Sequence, residues 1–155
     1  MADLASSHTT GFTIARKFAA PRELVWAAWT DPAHLASWFG PRGLTAPRKD
    51  ISLDLRPGGT WRITMVADAD RAEYPQAFTF MEVIEPERLV FSATAAGGIH
   101  DTRAVITLTL LPVAGGTEMT FAVEGLPDDD STSGLEQGWA SSFDCLGELI
   151  DGVRA

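Results

Sequence analysis

The chain has 155 residues, 45% hydrophobic and 21% charged, the proportions of one ordinary globular domain. Its 21 acidic against 12 basic side chains leave a net charge of −9, which repels phosphate backbones and speaks against nucleic acid as a partner. No apolar run approaches the ~18 residues needed to span a bilayer, and the single cysteine, Cys145, precludes an internal disulfide and suits a reducing cytoplasm.

Residues 1–10 have neither the basic start nor the apolar stretch of a secretory signal and read as a disordered tail before a single domain over 11–155. Phe12 to Phe18 alternates with period two and predicts a strand, with Phe12, Ile14 and Phe18 on one face. Pro21 then opens a short helix with Glu23 in its first turn, where the helix dipole favours an acid. Helical spacing puts Leu24, Val25 and Ala28 on one side of it. Asp31 is placed to cap a second helix with Pro32 at its first position, and Gly40-Pro41 ends it. Leu35, Trp38 and Phe39 share its apolar side. This stretch holds three of the five tryptophans, more indole surface than two short helices can bury between themselves. They need a concave partner.

That partner follows. From Leu44 to Glu124 the chain reads as strand and turn. Ile51, Leu53 and Leu55 alternate, then Arg56-Pro57-Gly58-Gly59 turns. Trp61, Ile63 and Met65 alternate with Arg62 and Thr64, and Phe78 and Phe80 share a face. Glu85-Pro86-Glu87-Arg88 turns into Leu89-Val90-Phe91. Ala104, Ile106, Leu108 and Leu110 form the inner side of the next strand. Gly115-Gly116 makes a hairpin into Met119, Phe121 and Val123. Polar residues on the alternate positions leave one side of this antiparallel sheet wet. A long helix closes the chain: Ser133-Gly134-Leu135-Glu136 reads as a capping box, and Leu135, Trp139, Phe143, Leu146, Ile150 and Val153 form an apolar stripe. Gly138 and Gly147 interrupt it, which means close backbone packing, simple tolerance, or room left for a ligand. The class is α+β.

Polar chemistry is sparse. There is no nucleophile elbow and no phosphate loop, since Gly58-Gly59 lacks the lysine and the following helix. Cys145, next to Leu146, reads as a small buried thiol. His8, His34 and His100 show no metal-binding spacing, so neither metal nor other cofactor is expected. The Asp128-Asp129-Asp130 run reads as a solvated loop. His100-Asp101 with Arg103 could edge a cavity and perform acid–base work, although such residues more often cap an exposed hairpin. Tyr74, in a loop with Arg71 and Glu73, could donate a hydrogen bond at a pocket mouth, or be a surface residue.

Three segments carry a resemblance. They are Ala20-Pro21-Arg22-Glu23-Leu24-Val25-Trp26 with Thr30-Asp31-Pro32, then Leu55-Arg56-Pro57-Gly58-Gly59-Thr60-Trp61, then Gly138-Trp139 with Leu146. With Pro86 to Phe91 they resemble the activator of heat-shock-protein-ninety ATPase (AHSA-type) family, of the START-like or Bet v 1-like superfamily, over residues 12–151. The resemblance implies a helix-grip fold: a curved antiparallel sheet of about seven strands wrapped around the terminal helix, with a cavity between them.

Trp38, Phe39, Trp61, Met65, Phe78, Phe80, Phe91, His100, Met119, Phe121, Trp139 and Phe143 are then the candidates to line it. The expected function is binding of a small apolar or amphipathic molecule by a monomer or homodimer. The alternatives are a cyclase- or hydrolase-type enzyme using His100 with Asp101 or Tyr74, and a chaperone-associated interaction module.

Overall fold

The computed structural model describes residues 9–39, 43–93, 104–127 and 130–154. In chain order these are β1 (Thr9–Phe18), α1 (Arg22–Thr30), α2 (Pro32–Trp38), β2 (Leu44–Thr45), a 3-10 turn (Arg48–Asp50), β3 (Ser52–Leu53), β4 (Thr60–Ala67), β5 (Glu73–Ile84), β6 (Arg88–Ala93), β7 (Val105–Val113), β8 (Gly116–Pro127) and α3 (Asp130–Arg154). The eight strands form one antiparallel sheet in the order β1-β8-β7-β6-β5-β4-β2, with β3 also on β4. The sheet is curved and open, and α3 lies in its grip beside α1 and α2. This is the expected helix-grip architecture.

The alternation read from the sequence becomes register. Phe80 pairs with Phe91, Phe91 with Ile106, Ile106 with Val123 and Val123 with Phe12, a continuous apolar row across five strands. One step along, Leu89, Leu108, Phe121 and Ile14 make a second row. A one-residue slip would turn each row to solvent, so the rows fix the register. The sheet bends at a bulge in β5: Phe80 and Glu82 oppose Phe91 and Val90, leaving Met81 unpaired and exposed. The extra residue shifts the inward phase from Phe78 and Phe80 to Val83 and adds the local twist typical of bulges.

The two short helices pack on the sheet, α1 against β7 and β8 and α2 against β2. Asp31 accepts the Ala33 backbone N–H at 2.9 Å, and Pro32 follows at the first helical position, as the sequence indicates. Pro21 stands one place earlier than expected, at the cap of α1, where its carbonyl accepts from Leu24 and Val25. The buried face of α1 is Val25, Trp26, Ala28 and Trp29, with Leu24 only half-buried. The buried Thr117 hydroxyl donates to the Ala20 carbonyl at 2.7 Å and holds the β1–α1 connection to β8.

Other expectations are corrected. α3 begins at Asp130, so Ser133 lies inside the helix rather than capping it. An acid in a first turn complements the helix dipole, and Asp130 supplies it ahead of the serine. β3 ends at Leu53, and Leu55 is exposed in the turn instead of continuing an inward alternation. Cys145 is half-buried, packed against the edge of the core.

Arg16 on β1 donates to Asp144 on α3 at 2.8 Å and to the Ala140 carbonyl at 3.3 Å. Both side chains are open to water, so the pair contributes below about 1 kcal/mol. Asp144→Asn should therefore shift the urea midpoint slightly, by an amount that vanishes in high salt; a loss above ~2 kcal/mol would show that the contact is not a surface pair.

Candidate functional site

The concave side of the sheet, α3 and the two short helices enclose a continuous group of aromatic rings. Trp29 is its hub. Its ring centroid lies 4.9 Å from Trp38, 5.9 Å from both Phe121 and Phe143, 6.3 Å from Trp139 and 6.4 Å from Trp61. α1 delivers it because Val25, Ala28 and Trp29 fall one turn apart on the inward side. Its indole N–H is directed to the Met119 sulfur at 3.4 Å, a weak acceptor.

Trp61 organises the other half. It pairs across the ladder with Phe78, centroids 4.8 Å apart, and stacks within 4° of parallel on Phe80 at 6.1 Å. Phe39 and Phe91 meet it edge-on at 5.6 and 5.3 Å. Phe39 also meets Trp139 edge-on at 5.4 Å, which links α2 to α3 over the sheet. Such edge-on and offset pairs add about 0.5–1.5 kcal/mol each beyond the area they bury.

The structure therefore brings together ten of the expected lining residues as one buried or half-buried group: Trp38, Phe39, Trp61, Phe78, Phe80, Phe91, Met119, Phe121, Trp139 and Phe143. Met65 is half-buried at the far end of β4, opposite the exposed Tyr74. His100, together with Asp101 and Arg103, lies outside the described residues. Tyr74 belongs to β5 rather than to a loop and is 46% exposed. His34 faces its own neighbourhood: Nδ1 lies 3.2 Å from the Ala27 carbonyl, beside a void of about 10 Å³ among Leu24, Ala28, Leu149 and Ile150. That space suits at most one water.

Sequence reasoning missed Trp29. Val25, Ala28 and Trp29 follow the i, i+3, i+4 pattern, but Leu24, Val25 and Ala28 form an adjoining apolar side that competes with it. It also missed a contrast among the indoles. Trp38 donates to the Ala28 carbonyl at 2.8 Å and Trp29 faces sulfur, whereas the Trp61 Nε1–H, in a residue only 1% exposed, has no hydrogen-bond partner among the described residues.

The interrupting glycines of α3 resolve differently. A side chain at Gly147 would touch Phe18 at an ordinary 3.7 Å, whereas at Gly138, half-buried beside Trp139, no described residue other than its chain neighbours and the helix's own backbone lies within 4 Å of the position a Cβ would take. Close packing is thus not the reason for Gly138. A separate open groove of about 590 Å³ lies between the β1–α1 connection and the β7–β8 turn, bordered by Pro21, Arg22, Glu23 and Pro112, and none of the expected residues lines it. Among the described residues no group of three or more His, Cys, Asp or Glu is placed to hold a metal, and no helix is long and apolar enough to cross a membrane.

The family model for "Activator of Hsp90 ATPase homolog 1-like protein" matches residues 19–151. The chain belongs to this family. Its fold recurs in solved structures. Protein NE0264 from Nitrosomonas europaea is 25% identical with a TM-score of 0.79, covering 93% of this chain and 96% of its own. Protein CV1439 from Chromobacterium violaceum is 26% identical with a TM-score of 0.79, covering 90% and 96%. The AHSA1 protein SPO3351 from Silicibacter pomeroyi, at 24% identity and a TM-score of 0.79 over 92% and 98%, shares the fold. No curated protein matches the chain. Within the family frame the three motif segments fall on the α1–α2 entry, the turn before Trp61 and the Trp139 end of α3, all of which border the aromatic group.

Proposed function

We propose that the protein binds a small apolar or amphipathic molecule between the sheet and α3. The observation that carries this reading is the end of the aromatic group at α3. There the half-buried Trp139 stacks on Trp29 and meets Phe121 at a tilt of 41°, and beside it no other described residue beyond the chain neighbours and the helix's own backbone comes within 4 Å of the Gly138 Cβ position. Binding sites for such molecules are mainly apolar and aromatic with few polar groups, which is the composition found here. A glycine inside a helix costs about 1 kcal/mol relative to alanine. With no steric reason for it, the missing side chain is explained as space kept for the ligand.

A neutral fluorescent probe, N-phenyl-1-naphthylamine, tests this. The folded protein should bind it saturably at one site, with energy transfer from tryptophan. Gly138→Ala should raise stability by about 1 kcal/mol and weaken probe binding, because its methyl group enters the space the glycine leaves. Gly138→Phe should remain folded and lose most of the probe affinity. A folded wild-type protein with no saturable binding would overturn the proposal.

Family membership also supports a chaperone-related role, as the family description indicates. The acidic surface implied by a net charge of −9 suits a basic docking partner. Co-purification with Hsp90 that weakens steeply with salt would favour this second reading. Its absence at low salt would remove it.

A further inference from the structure

The orphaned donor of Trp61 says what kind of molecule the site takes, on the premise that the interior binds one as proposed above. A buried N–H without an acceptor costs about 1–3 kcal/mol. The surroundings show that this cost is not forced by packing. Trp61 sits among Phe39, Phe78, Phe80 and Phe91, where a fifth ring without a polar atom would carry no such penalty. The other two fully buried indoles of the group direct their N–H groups to protein atoms, Trp29 to Met119 and Trp38 to Ala28. The rings around Trp61 carry no charge, so a carboxylate or phosphate placed against its N–H would be desolvated without a counter-charge among them, at high cost.

We infer that the bound molecule carries an uncharged acceptor, a ketone, ester, amide or ether oxygen, which takes the Trp61 indole N–H. The site is thus selective for neutral oxygenated molecules over both hydrocarbons and free acids. Shape and apolar burial supply affinity; the single donor supplies orientation and discrimination, since a site built around a buried donor is left unpaired by an analogue lacking the acceptor.

Benzophenone and diphenylmethane have one carbon skeleton and differ by the carbonyl oxygen. Their affinities are measured by displacement of N-phenyl-1-naphthylamine from wild type and from Trp61→Phe. Benzophenone should weaken about tenfold in Trp61→Phe, while diphenylmethane should change by less than about twofold. In wild-type protein, the Trp61 indole proton resonance, assigned through the bonds of its own residue without recourse to the variant, should move downfield with benzophenone and not with diphenylmethane. This second readout holds even where the variant fails to fold.

Equal weakening of both compounds, or no downfield movement, would overturn the inference while leaving the binding proposal standing. An upfield, ring-shielded resonance unaffected by benzophenone would likewise overturn it, assigning the N–H to the face of a neighbouring phenylalanine. Failure of the probe and both compounds to bind would overturn the binding proposal and this inference together.

Discussion

Gly59→Ala should destabilise the protein by about 3 kcal/mol or more, among the largest effects a single added methyl group produces. A Cβ there would stand 1.9 Å from the Asp54 carbonyl oxygen and 3.0 Å from that of Arg56, both backbone atoms that no side-chain rotation can clear. The turn has little freedom to yield. Asp54 N–H donates to Thr60, Gly59 N–H to Arg56, Gly58 N–H to Phe80, and Phe80 N–H back to Gly59, all at 2.8–2.9 Å. Moving Gly59 therefore moves the start of β4 and the middle of β5, and with them Trp61 and Phe80. Gly58 is the internal control: nothing lies within 4 Å of its Cβ position, and its positive φ of 85° makes alanine cost only about 1–2 kcal/mol. Urea unfolding of the two variants should separate them by their midpoints at similar m. Equal midpoints would show that the close approach at Gly59 is not rigid.

Trp29→Ala should cost about 3–5 kcal/mol, enough to leave a marginally stable domain partly unfolded at 37 °C. It removes the ring that touches Trp38, Trp61, Phe121, Trp139 and Phe143, and the surrounding strands and helices cannot collapse onto the space from three sides at once. Trp29→Phe keeps most of the apolar contact and loses only the weak N–H to sulfur interaction with Met119, so its cost should be about 1–2 kcal/mol. Thermal and urea unfolding followed by circular dichroism measure both. A loss under ~1 kcal/mol for the alanine variant would mean that the aromatic group is not the mechanical centre of the fold.

The architecture was legible because burial on one side of a sheet writes itself into period two. Phe12 and Ile14, Trp61 and Ile63, Phe78 and Phe80, Ile106 to Leu110, and Met119 to Val123 all alternate in the sequence and all point inward in the structure. The Asp31-Pro32 start was legible for a local reason: a capping side chain and a proline act within one turn. What escaped depends on tertiary context. The bulge at Met81 has no composition of its own, since only the offset between Phe80–Phe91 and Glu82–Val90 reveals it. A nine-residue helix offers two adjoining apolar sides, and only the sheet beneath decides that Trp29, not Leu24, is central. The start of α3 lies ahead of the capping box because Asp130 offers a competing acid for the first turn. The state of an indole N–H depends on what lies opposite it in space, so Trp61 could be named a lining residue from sequence but not an unpaired donor.

The central claim, that the aromatic interior is where the protein takes up its ligand, is tested most directly by where a bound probe sits. Intermolecular nuclear Overhauser effects between the naphthyl protons of bound N-phenyl-1-naphthylamine and assigned side chains should fall on Phe39, Trp61, Phe121 and Trp139. Effects confined to exposed side chains such as Met81, Ile84 and Leu111 would contradict the account and place binding on the outer surface of the sheet.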